Sequence, residues 1–167
     1  MRAQVLMYKQ DDPAKCTAAK LVRFGLAESI RFVRPDAILL DPFSKNVLTS
    51  SDSVYCKSIC AIDCSWEKAQ VLFAKSKLKH HSRRRLPALL AGNPINYSKI
   101  SKLTTAEALA ASLFILGCRK MSESLLAKFK WGHTFLELNL GILDDYAKAP
   151  SGNDIRVLER KYFPQVY

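Results

Sequence analysis

Short apolar runs alternate with helix-patterned stretches through the first half of the chain, and this alternation leaves few folds open. Strands joined by helical crossovers pair in parallel and need cover on both faces. An α/β unit on a mostly parallel sheet with crossover helices is therefore expected. Val5-Leu6-Met7 reads as the first strand, and Asp11-Asp12-Pro13 breaks it ahead of a helix carrying Leu21, Val22 and Phe24 on one side. Ile30–Val33 and Ala37–Leu40 read as the next strands. The second of these ends at Asp41-Pro42, where proline removes a ladder donor. Ile59–Ile62 is a fourth strand, followed by Asp63-Cys64-Ser65-Trp66 and a helix through Val71, Leu72 and Phe73; Leu86–Ala91 completes the series.

From about Thr104 the period changes to 3.6 residues without strand-like alternation, so an all-helical C-terminal lobe is expected. Thr104 and Glu107 form a Thr-x-x-Glu capping box that opens a helix over Ala106–Leu116, and Gly117 is placed to end it. Further helices are expected over Ser122–Phe129 and His133–Tyr146. The organisation read from the sequence is an α/β domain over residues 1–86 and a mainly α-helical domain over 87–167.

Composition narrows the partner. The chain carries 26 Lys and Arg against 15 Asp and Glu, a formal charge of +11, which favours a polyanion and nucleic acid first. A membrane partner is not expected: apolar runs such as Leu113–Leu116 fall far short of the roughly 20 residues a spanning helix needs. Met1-Arg2-Ala3-Gln4 does not open a signal peptide, and five cysteines make no even disulfide set, so a cytoplasmic setting is expected. Cys56, Cys60 and Cys64 recur every four residues, but no CxxC pair supplies the close chelate of a structural zinc site. No metal is expected, and Cys60 and Cys64 read as small apolar residues in and after a buried strand.

Two kinds of segment could carry chemistry. The run Lys75-Ser-Lys77-Leu-Lys79-His80-His81-Ser-Arg83-Arg84-Arg85 holds no acid. It reads either as a solvated helix end or as a phosphate-binding stretch, and the net charge tips the reading toward RNA contacts by Lys75, Lys77, Lys79, Arg83, Arg84 and Arg85. Lys15, Lys20, Arg23, Arg31 and Arg34 add a second basic region. The other segments lie at strand ends, where open α/β sheets bind ligands. Asp63 to Trp66 offers a carboxylate and an aromatic face, while Thr17 and Thr105 stand at helix starts whose N–H groups suit a carboxylate. No G-x-G fingerprint, P-loop, nucleophile elbow or H-E-x-x-H helix is present, which disfavours phosphoryl transfer from ATP.

Asp12-Pro13-Ala14-Lys15-Cys16-Thr17, Leu40-Asp41-Pro42, Ile62-Asp63-Cys64-Ser65-Trp66, Arg85 to Tyr97 with its Asn93-Pro94-Ile95-Asn96-Tyr97, Leu103 to Ala108 and Phe129-Lys130-Trp131-Gly132 span nearly the whole chain. In these stretches it resembles the ribosomal-RNA aminocarboxypropyltransferases, whose fold is a knotted relative of the SPOUT methyltransferases; its compact length resembles the archaeal members. Gly92 stands where an alanine is usual, and Ser98 where a glycine is usual. The resemblance implies a SPOUT-like fold with a deep trefoil knot and S-adenosylmethionine between the two lobes. It implies that adenine packs against Leu40, Pro42, Trp66, Leu86, Leu103 and Ala108, with a backbone bond near Ser101, and that ribose meets the backbone of Ile62. Thr17 and the Thr105 N–H would hold the amino-acid carboxylate, and Trp66 with Ala69 would cover the methyl group.

The implied reaction moves the aminocarboxypropyl group to N3 of an N1-methylpseudouridine in small-subunit rRNA, free or in a pre-ribosomal particle, by a monomeric enzyme. Asp63 is the acid available as a general base, or alternatively a helix cap or sulfonium counter-charge. A non-catalytic rRNA-binding assembly factor and an RNA methyltransferase using the same cofactor are the competing readings.

Overall fold

The computed structural model describes residues 1–8, 16–74 and 82–166. Its strands are β1 (Arg2–Met7), β2 (Glu28–Ile30), β3 (Ala37–Leu40), β4 (Ser58–Asp63) and β5 (Ser82–Arg84). They form one five-stranded sheet in the order β2-β1-β4-β3-β5, and every pairing is parallel. The helices are α1 (Thr17–Arg23), α2 (Trp66–Phe73), α3 (Thr105–Ile115), α4 (Arg119–Leu126), α5 (Gly132–Lys148) and α6 (Gly152–Tyr162), with a 3-10 turn over Ser50–Val54. None is long and apolar enough to cross a membrane.

The period-2 alternation of the strands sorts their side chains onto two faces. Ile38, Leu40, Ile59 and Ala61 join a large core with Leu21 of α1 and Leu109 and Leu113 of α3. Leu39, Cys60 and Ile62 point to the other face and pack with Ala69 and Phe73 of α2. All of β4 is buried, as a parallel strand covered on both faces must be. The neighbours β1 and β4 are thus followed by helices that cover opposite faces, α1 and α2. Between their carboxyl ends, where Met7 pairs with Asp63, the sheet opens a crevice of the kind that binds ligands in open α/β folds.

The larger core runs without a break from the strands into α3, α5 and α6, through Phe135, Leu143, Tyr146 and Ile155. Within it α3 is buried on nearly all sides. Its capping box forms as the sequence indicates, with Thr104 accepting from the Glu107 N–H and Glu107 accepting from the Thr104 N–H. Gly117 follows its end at φ 82°, a left-handed position suited to glycine.

Three sequence expectations are corrected. Leu86–Ala91 is largely buried but is not a strand, and the fifth strand lies just before it. Side chains satisfy part of its backbone: Asn139 exchanges two bonds of 2.8 Å with Leu90, Tyr146 donates to the Ala88 carbonyl, and Glu159 accepts from the Ala88 N–H. The second strand is Glu28–Ile30, ending before Arg31 and an 83% exposed Phe32, so Ile30–Val33 is not one. Finally, α6 is an additional helix, opened by Ser151 and Asp154 in a capping box.

Candidate active site

The crevice deepens into a cleft of about 620 Å³, within the range of small-molecule sites. Thr17, Leu40, Pro42, Ile62, Asp63, Trp66, Ala69, Leu86, Ser101, Leu103, Thr105 and Ala108 all line it. Residues from five separate stretches of chain therefore meet at one place.

Local structure explains how each wall is set. Leu40 ends β3, and Asp41 folds the chain back by accepting from the Phe43 N–H and pairing at 2.9 Å with Arg83 of β5; this presents Leu40 and Pro42 side by side. Trp66 opens α2 and Ala69 lies one turn on, so both face the cleft. Trp66 is 40% exposed, with the Lys102 ammonium 4.5 Å from its ring centroid.

The floor is a hydrogen-bonded knot of small groups. Asp63, at the end of β4, is 7% exposed and accepts from the Cys16 thiol at 3.1 Å and from the Thr105 hydroxyl at 3.2 Å. Thr17 Oγ1 accepts from the Ala106 N–H at 3.3 Å. One carboxylate thus draws the starts of α1 and α3 together, and the positive ends of both helices face the same space. Asp63 caps neither flanking turn of its own strand: the N-cap of α2 is Ser65. Burial, reinforced by the neighbouring Asp63 carboxylate, pushes the Cys16 thiol up to about 11, so it stays protonated and donates at neutral pH.

The opposite wall is the segment after Leu86, and Glu107 holds it. This fully buried carboxylate accepts five bonds, from the Gly92 and Asn93 N–H groups, the Asn93 amide, and the N–H and hydroxyl of Thr104. Gly92 sits where α5 passes so closely that a Cβ would lie 2.5 Å from the Phe135 nitrogen. The turn after it places Ser98 at φ 61°, a left-handed conformation that a glycine would hold without strain.

Sequence reading passed over Phe73, Pro87, Ile95 and Asn96, which also line the cleft. Phe73 lies one helical turn beyond Ala69, and Ile95 and Asn96 stand inside the Asn-Pro-x-Asn-Tyr stretch, so signals for all three were present.

The basic run divides. Lys75, Lys77 and Lys79, with His80 and His81, lie outside the described residues. Arg83, Arg84 and Arg85 are each tied to a buried carboxylate: Arg83 to Asp41, Arg84 to Asp52, and Arg85 to Glu159 through bonds of 2.7 and 2.9 Å. Arg84 also donates to the Tyr55 hydroxyl. Much of their charge is compensated inside the fold, and each side chain keeps only a partly exposed face.

Residues 38–163 match the family described as ribosome biogenesis protein, C-terminal. Residues 1–32 also match one described as a possible Fer4-like domain in RNase L inhibitor. Cys16 is the one cysteine in that stretch, whereas an iron–sulfur cluster takes four thiolates, so the ligands do not accompany that match. The 16S rRNA aminocarboxypropyltransferase of Methanococcoides burtonii is 42% identical over 157 residues, covering 92% of this chain and 90% of that protein. The protein of the same description from Sulfurisphaera tokodaii is 39% identical over 169 residues, covering 99% and 98%. The structure of the SAM-dependent rRNA:acp-transferase from Vulcanisaeta distributa superimposes with a TM-score of 0.84 at 36% identity, over 96% of each chain. With likeness of this extent in sequence and in fold, the chain belongs to the 16S rRNA aminocarboxypropyltransferase family of ribosome biogenesis proteins.

Proposed function

We propose that the cleft binds S-adenosylmethionine between the 1–86 and 87–167 parts of the chain, and that the chain transfers the aminocarboxypropyl group to N3 of an N1-methylpseudouridine in small-subunit rRNA. The observation that carries this reading is the convergence of Thr17, Asp63, Trp66, Leu86 and Thr105 on one cleft in a member of this family. The groups present fit the cofactor. Leu40, Pro42, Leu86, Leu103 and Ala108 offer an apolar slot for adenine, and the starts of α1 and α3 offer N–H groups for a carboxylate. The buried Asp63 offers a counter-charge for a cationic sulfur.

Bound there, the cofactor would supply an electrophilic carbon next to its cationic sulfur. Choice of product is choice of orientation. Trp66 and Ala69 screen the methyl group, while Thr17 and the Thr105 N–H fix the carboxylate end, leaving the aminocarboxypropyl carbon turned to the base. N3 of the base must lose its proton; two acids line the cleft, and since Asp41 is held in an ion pair with Arg83, Asp63 is the better placed. Both of its oxygens already accept hydrogen bonds, from Cys16 and Thr105. Its first task is to hold the two helix starts and offset the sulfonium; serving as a base requires release of one of those donors.

Lys75, Lys77 and Lys79 take the phosphate contacts in this reading, and the chain works as a monomer in the cytoplasm. The knotted, SPOUT-like path belongs to the same proposal, supported by the all-parallel order β2-β1-β4-β3-β5. Synthetic rRNA fragments test the target atom. A fragment with N1-methylpseudouridine should accept a carboxyl label from S-adenosylmethionine while its uridine counterpart does not; equal labelling of both would overturn the choice of nucleotide.

A further inference from the structure

The rim of the cleft carries large apolar side chains that the other described residues leave exposed. Ile95 lines the cleft yet is 86% exposed, and Tyr97, two residues on, is 57% exposed. The cleft residue Trp66 is 40% exposed, and the 51% exposed Phe43 meets the ring of the cleft residue Phe73 edge-on. Exposed apolar groups at a mouth are unfavourable unless a partner covers them.

The segment bearing Ile95 and Tyr97 is held by hydrogen bonds at both ends. Asn93 is 2% exposed, bonded through N–H and side-chain amide to Glu107, and its own Oδ1 accepts from the Asn96 N–H. A short antiparallel bridge between Leu90 and Ile100, with the Ser98 N–H donating to Ala91 at 2.7 Å, closes the turn from the other end. A projecting apolar tip held this firmly is pre-organised for contact. The same turn places two exposed lysines, Lys99 and Lys102, beside the tip, and neither is paired with a carboxylate among the described residues. An aromatic and aliphatic tip flanked by uncompensated cations matches an unstacked nucleic-acid strand, which presents flat bases and phosphates together.

We propose that the Pro94–Tyr97 tip is the RNA platform of this enzyme: Ile95 packs on the base presented to the cleft, Tyr97 stacks on a neighbouring base, and Lys99 and Lys102 meet the flanking phosphates. The inference rests on the reading of the cleft as an rRNA-modifying site. It separates holding the base from holding the cofactor, since Tyr97 does not line the cleft.

The test uses the full chain and single-stranded small-subunit rRNA fragments that carry N1-methylpseudouridine but no aminocarboxypropyl group, with Tyr97→Ala, Ile95→Ala and Tyr97→Phe. Loss of one base-stacking contact should raise the Kd for RNA by about 5- to 150-fold in Tyr97→Ala, while Tyr97→Phe, which keeps the ring face, stays close to the wild type. In label-transfer assays the KM for RNA should rise in both alanine variants, with the KM for S-adenosylmethionine unchanged in Tyr97→Ala. Because both side chains are exposed, melting temperatures should match the wild type. RNA affinity equal to the wild type in both alanine variants would overturn the platform, as would equal losses in Tyr97→Phe and Tyr97→Ala. A wild-type chain that transfers no label would instead refute the proposed reaction, and RNA binding measured without cofactor would still decide on the platform.

Discussion

Replacing Glu107 with glutamine should cost the fold far more than a one-atom change suggests. The carboxylate has no solvent exposure; Oε1 accepts from the Gly92 and Asn93 N–H groups, and Oε2 from the Asn93 amide, the Thr104 N–H and the Thr104 hydroxyl. A glutamine must turn its NH2 toward one of these sets. Facing the first, it opposes two backbone donors. Facing the second, it opposes the Asn93 amide and the Thr104 N–H, and only the hydroxyl can rotate to accept. Two N–H donors lose a charged acceptor either way, at about 1.5–3 kcal/mol each, so a loss of about 3–6 kcal/mol is expected. That is a large share of the roughly 5–15 kcal/mol that holds a domain together. Denaturant unfolding should show the midpoint falling with the slope preserved, and Tm should drop by on the order of 10 °C. A Glu107→Gln protein within about 1 kcal/mol of the wild type would refute the account of how the cleft wall is held.

Other substitutions separate binding from stability. Trp66→Ala should lower S-adenosylmethionine affinity by about 5- to 150-fold in calorimetry and leave Tm little changed, because the side chain is 40% exposed rather than core; a large fall in Tm with unaltered affinity would remove it from the site. Arg85→Ala strips the fully buried Glu159 of its bidentate partner and should cost about 3–5 kcal/mol of stability; a stable variant with weakened RNA binding would make phosphate contact its main role. Ser98→Gly should raise stability by about 0.5–1 kcal/mol, since φ is 61° there, and a destabilised variant would show that the serine side chain matters more than backbone strain.

The parallel sheet was legible because its signal is local: Ala37–Leu40 and the strand through Ile59–Ile62 are short apolar runs bounded by breakers. The capping box at Thr104 and Glu107 was legible for the same reason. Leu86–Ala91 was misread because an apolar run says nothing of its partners, and those partners, Asn139, Tyr146 and Glu159, lie 49 to 71 residues further along the chain. The ion pairs of the arginines were hidden likewise. Asp41 and Asp52 precede them by 42 and 32 residues and Glu159 follows by 74, so a run that looks like an open cationic stretch is closed by acids no window contains. The helix α6 did carry a start signal in Ser151 and Asp154, but it buries little beyond Ile155 and Glu159 and leaves Val157 exposed, too weak a stripe to read. The cleft was assembled from motif likeness, since no period or spacing links Thr17 to Thr105; the structure supplies the link, through Cys16, Asp63 and the two helix starts.

Parallel reactions with two labelled forms of S-adenosylmethionine, one carrying label in the methyl group and the other in the carboxyl group, test the central claim most directly. Each is incubated with the chain and small-subunit rRNA that carries N1-methylpseudouridine but no aminocarboxypropyl group, and the rRNA is then digested to nucleosides. The account requires carboxyl label in a single modified nucleoside and no methyl label in the RNA. Methyl label with no carboxyl label would make the chain a methyltransferase, and no label from either form would contradict catalysis altogether.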